Sequence, residues 1–177
     1  MKIRRSLSVV TMTLSLAASA VPFAALPACG GGDDPKSAKV TAGEMPAGES
    51  WTGVYYHQVY GYLHMQEQDS NIVARWKRTD QSAWGELSGT KAGNVFHFTW
   101  KEHKYGLPGP AGESKGKGYF QYKLGKEGGI AELDGQYGLN NDETGSEWHC
   151  VKQQRMAPDL KSITGDTGSS SGPAPLD

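Results

Sequence analysis

From Trp51 to about Gln154 apolar and polar residues alternate with a period of two, broken every eight to twelve residues by turn-forming clusters. Phe96, Phe98 and Trp100 fall on one face of such a segment and His97, Thr99 and Lys101 on the other. Likewise Ile72, Ala74 and Trp76 oppose Val73, Arg75 and Lys77, and Phe120, Tyr122 and Leu124 oppose Tyr119, Gln121 and Lys123. Ala131, Leu133, Gly135 and Tyr137 oppose Ile130, Glu132, Asp134 and Gln136, and Trp51, Gly53, Tyr55 and His57 share a face at the start. Successive side chains of an extended chain point to opposite sides, so the pattern predicts strands with one dry and one wet face, without helical periodicity. Eight strands are predicted, near residues 51–57, 60–67, 71–78, 84–90, 94–102, 117–124, 130–138 and 146–153. Turn chemistry separates them at Gln68-Asp69-Ser70, Thr79-Asp80-Gln81, Ala92-Gly93, Gly125-Lys126-Glu127-Gly128 and Asn140-Asn141-Asp142. The longer run Tyr105–Gly112, with two prolines and three glycines, reads as a loop.

Eight short consecutive strands make an all-β, antiparallel up-and-down meander. Left open it exposes two edges; pairing the first strand with the eighth removes both. A closed or nearly closed barrel is therefore predicted, with a two-sheet β-sandwich as the alternative. In-strand glycines at 53, 61, 85, 89, 118 and 135 suit the tight curvature of a small barrel.

The chain before Trp51 has a different texture. Lys2, Arg4 and Arg5 precede an uncharged, mostly apolar stretch from Leu7 to Leu26, then Leu26-Pro27-Ala28-Cys29 and a glycine-rich polar run. This order is an export signal, and its end resembles a lipobox of bacterial lipoproteins, with Pro27 departing from the usual small or aliphatic residue. The resemblance covers residues 1–35 and implies a diacylglycerol thioether on Cys29. Ordinary secretion after Ala18-Ser19-Ala20 is the alternative. The expected organisation is a signal peptide at 1–28, a lipidated cysteine and disordered tether at 29–50, a barrel domain at 51–155, and a short cap then a disordered tail at 156–177. The membrane, reached through the lipid anchor, is then one partner, and the bacterial envelope the location.

Three of the eighteen cationic residues lie in the leader, leaving fifteen against nineteen acids, a net charge of −4 for the mature part. A mildly acidic domain is not a nucleic-acid binder on bulk electrostatics. If Cys29 is acylated, Cys150 has no intramolecular partner and is a small buried hydrophobe; if Cys29 is unmodified, a disulfide across the tether is open. His149, the neighbour of Cys150, points to the opposite strand face, which argues against a thiol–imidazole pair.

Five histidines, at 57, 64, 97, 103 and 149, show no metal-ligand spacing, and Glu132 and Asp134 fall on the wet face. No nucleophile elbow, zinc-protease helix or phosphate-binding loop occurs, so no catalytic residue, metal or cofactor is predicted. Five tryptophans and eight tyrosines are more informative. Most of them fill the core; Tyr56, Tyr60, Tyr62 and Trp84, with His103 beside the long loop, fall outside the clean core pattern and are candidates for a site taking a protein, a glycan or a small apolar ligand. Arg75, Lys77 and Arg78, and Lys101, Lys104, Lys115 and Lys117, read as solvated faces or docking points for an anionic partner.

Trp51-Thr52-Gly53-Val54-Tyr55, the Gly89-to-Asn94 run leading into Phe96, Phe98 and Trp100, and Gly135-Gln136-Tyr137-Gly138 together resemble small bacterial barrels of lipocalin and avidin style over residues 51–153. The resemblance implies a fold, without site residues. The expected function is an envelope binding or inhibitor-like module. A structural envelope accessory without small ligand is the second reading, and a hydrolytic enzyme the third.

Overall fold

The computed structural model describes residues 34–126 and 129–165; the leader, Cys29 with its lipidation, Glu127-Gly128 and the end of the tail lie outside the described residues. Eight antiparallel strands form a closed up-and-down barrel: β1 (Gly53–His57), β2 (Gly61–Gln68), β3 (Asn71–Lys77), β4 (Ala83–Ala92), β5 (Val95–Lys104), β6 (Glu113–Leu124), β7 (Ala131–Leu139) and β8 (Ser146–Lys152). Each strand pairs with its sequence neighbour, and β1 closes on β8 through Tyr55↔Lys152 and Tyr56↔Val151. The Gln153 amide donates to the Val54 carbonyl at 2.7 Å and lengthens that short seam. β6 begins at Glu113, four residues before the predicted start, because Ser114, Lys115 and Gly116 pair with Glu102, Lys101 and Trp100. A glycine is needed there: a Cβ on Gly116 would lie 1.9 Å from the Gly138 carbonyl oxygen.

The interior follows the alternation. Leu63, Met65, Ile72, Ala74, Trp76, Leu87, Phe96, Phe98, Trp100, Phe120, Tyr122 and Leu133 are buried. Leu124, last of its strand, is exposed where the sheet runs out. Two outward positions, Val54 and Val95, are buried as well. Gln153 is bonded to Val54 itself, and Gly43 to Asn94, the residue before Val95.

One end of the barrel is a closed base. The Trp51 ring packs edge-on to Phe96 and Tyr122, with centroids 5.8 and 5.4 Å away. Tyr122 donates its hydroxyl to Glu49, which Lys152 also approaches at 3.3 Å. Glu49 has its pKa lowered, chiefly by the Tyr122 bond.

From Lys36 the chain before Trp51 is hydrogen-bonded to the barrel. Lys36 donates its amide to Asp142 and accepts from the Glu143 amide, at 3.0 and 2.7 Å. Further on, Gly43 exchanges two hydrogen bonds with Asn94 in the β4–β5 turn. Residues 36–43 thus run down the wall as an arm, from the β7–β8 connection to the base. The arm is held by backbone groups, and a polar composition does not exclude that.

After β8 the chain forms a strap across the outside of β2, β3 and β4. Leu160–Ser162 is a 3-10 turn capped by the Asp159 carboxylate, which accepts from the Lys161 and Ser162 amides. His64 Nδ1 accepts the Asp159 amide at 2.9 Å, Arg75 donates to the Ile163 carbonyl at 3.2 Å, and Ile163 is buried. No helix among the described residues is long and apolar enough to cross a membrane.

Candidate functional site

The end opposite the base is open, and a pocket of about 150 Å³ lies in it, walled by Tyr60, Trp76, Trp100, Tyr137 and Trp148. That is room for roughly five water molecules' share of liquid. Trp148, from β8, is the hub: its ring lies 4.9 Å from Tyr60, 5.4 Å from Trp76, 5.2 Å from Phe120 and 5.8 Å from Tyr137. Such edge-on packing leaves each ring's polar atom to find its own partner. Trp51 donates Nε1 to the Gly93 carbonyl, and Trp100 donates to the Lys117 and Gly138 carbonyls. Trp76 Nε1 and Trp148 Nε1 are buried and have no partner among the described residues. The nearest polar group to the Trp148 N–H is the Cys150 sulfur on the same inward face of β8, a weak acceptor.

Charge enters from the loop after β3. Arg78 makes a two-pronged pair with Glu102, Nε–Oε2 at 2.8 Å and Nη2–Oε1 at 3.0 Å. Glu102 is the one buried charged side chain among the described residues. The Glu102 bond raises the Arg78 pKa further, which keeps the guanidinium charged in the pocket wall. The Arg78 guanidinium also lies 5.4 Å from the Tyr60 ring centre. Tyr60 and Tyr137 share a hydroxyl hydrogen bond of 2.5 Å. Burial first, and then the Tyr137 bond, pushes the Tyr60 phenol well above its ordinary value, which keeps it neutral. The pocket therefore presents a hydroxyl pair and a fixed ion pair on aromatic walls, an arrangement suited to a small ligand with an apolar face and a few polar groups.

No family model, curated protein or solved structure matches the chain.

The structure separates the five sequence candidates. Tyr60 alone lines the mouth. Tyr56 and Tyr62 are an outward cross-strand pair, 5.0 Å apart. Trp84 and His103 stack outward at 4.5 Å on β4 and β5. Register puts these four in one outward row, Tyr56–Tyr62–Lys77–Trp84–His103, outside the barrel wall and away from the pocket. Arg78, read as solvated, instead turns into the mouth.

Trp76, Trp100, Tyr137 and Trp148 are core by type and lining by position. Glu102 carried a usable signal, because it continues the inward series Phe96, Phe98, Trp100.

Chemistry elsewhere is sparse. Cys150 is buried and unpaired, and burial pushes its thiol pKa up, the reverse of a nucleophile. His149 faces Asp134 across the outer surface at 2.5 Å. Among the described residues no three His, Cys, Asp or Glu side chains converge as metal ligands would.

Proposed function

We propose that this protein is an exported, lipid-anchored binding module of the bacterial envelope whose barrel mouth takes a small ligand against its aromatic walls. One observation supports the ligand reading: at the barrel's open end an aromatic-walled pocket holds an ion pair and a hydroxyl pair at fixed positions. The anchor rests on the leader and on Cys29. The structural-accessory reading draws support from the solid packing beneath the pocket, where Phe96, Phe98 and Phe120 leave no channel through the barrel.

The test is a thermal-shift and tryptophan-emission screen of the full chain against monosaccharides, amino acids and short carboxylic acids. A binder raises the melting temperature with concentration and shifts the emission. Trp148→Phe, which replaces the indole at the centre of the pocket wall by a smaller ring, weakens that binder about tenfold. A silent panel, or equal binding by the variant, rejects the ligand reading. Labelled fatty acid retained by the wild type and lost by Cys29→Ser tests the anchor separately.

A further inference from the structure

Between the strap and the β7–β8 connection lies a second concavity, of about 830 Å³, on the outside of the wall. Its floor is the outward face of β3 to β6. Register sets Arg75, Glu86, Lys101 and Lys115 side by side across those four strands, with Lys117 two residues further along β6 and Lys161 descending from the strap. Five cations thus meet one acid, in a mature chain whose net charge is negative. Glu86 is engaged by Arg75 at 3.7 Å, and Lys101 is 3.9 Å from Glu113. Among the described residues Lys115, Lys117 and Lys161 enter no ion pair. Lys101 and Lys115 are directly opposed, and like charges in that relation work against sheet stability. Glu86 and Glu113 offset that cost at Lys101, whereas Lys115 enters no ion pair among the described residues.

We infer that the groove binds an acidic polysaccharide, its carboxylates meeting Lys115, Lys117 and Lys161 and its hydroxyls meeting Ser88, Asn140 and Asn141. The volume accommodates several sugar rings. The lining disfavours single-stranded nucleic acid, whose bases stack on exposed aromatic faces. The one aromatic here, Trp100, is only 7% exposed and has its Nε1 bound to two carbonyls. A flat bilayer does not follow a surface walled on both sides by strap and connection.

The full chain should bind polygalacturonate in affinity electrophoresis and ignore its methyl-esterified, uncharged form, with binding weakened as salt rises from 50 to 300 mM, roughly the range over which exposed charges become screened. Lys115→Gln/Lys117→Gln/Lys161→Gln should lose at least about tenfold in affinity, consistent with loss of charge-assisted contacts. Lys36→Gln/Lys39→Gln/Lys126→Gln, with the same net charge, should stay within about twofold, since its lysines lie off the groove. The single variants Lys115→Gln and Lys117→Gln, each expected to weaken binding, stand in should the triple variant misfold. Trp148→Phe should bind polygalacturonate as the wild type does, which separates this groove from the mouth. The inference fails if polygalacturonate is not bound, if the control triple loses as much, or if a thymidine oligonucleotide or phosphatidylglycerol vesicles bind tighter through the same lysines.

Discussion

Gly85 faces the indole of Trp76 across the β3–β4 pair, and a Cβ built there would lie 2.2 Å from the ring. Gly118 stands in the same relation to Phe98, at 2.6 Å. Large rings and absent side chains are matched position by position, which is how five tryptophans fit a chain this short. Gly85→Ala should therefore destabilise the fold by about 1–3 kcal/mol, the range for forced overpacking, read as a lower urea midpoint with unchanged slope. An unchanged midpoint would mean that Trp76 has room to move. At this scale the sequence was legible wherever residue type and parity agreed, as at Phe98 and Leu133. It was opaque where they conflicted. Glu102 is a solvent residue by type and an interior one by position, and its partner Arg78 comes from a loop that no local period describes. Half of the mouth site is hidden from a linear reading for that reason.

The arm and the strap are the elements that composition concealed. Neither has an apolar period; both are held by backbone groups and by side chains in turns distant in sequence. The strap carries a titratable pin. His64 accepts the Asp159 amide through Nδ1, which requires an unprotonated nitrogen. Burial lowers the His64 pKa below 6.5, against the Asp159 charge, which raises it. A lowered folded-state pKa means that the fold favours the neutral ring. That contribution is whole above pH 6.5, declines as pH falls toward the folded-state value, and is absent below it. Amide protection factors at Asp159 and Lys161 should accordingly drop between about pH 7.5 and 5.5, on either side of the ordinary histidine range. In His64→Gln, which cannot titrate, the drop should vanish. Equal protection at both pH values in the wild type would show that Arg75 and the Asp159 cap hold the strap unaided.

Strand number and succession, and the closure that edge pairing demands, could be read from turn spacing over the whole molecule. The length of the seam could not. β1 and β8 share two paired positions, whereas β4 and β5 share ten. The seam is thus the weakest line in the cylinder, and Cys150 on β8 reports on it. In a Cys29→Ser chain, where Cys150 is the sole cysteine, a thiol reagent should find nothing in native buffer and one thiol per chain in denaturant. Prompt labelling of the native protein would mean that the seam parts without global unfolding. The arm, finally, ties the two ends of the cylinder together. Its bonds to Asp142 and Glu143 put the chain's point of departure at the rim that carries the mouth. One backbone segment thus fastens the rim that carries the mouth to the β4–β5 turn at the base.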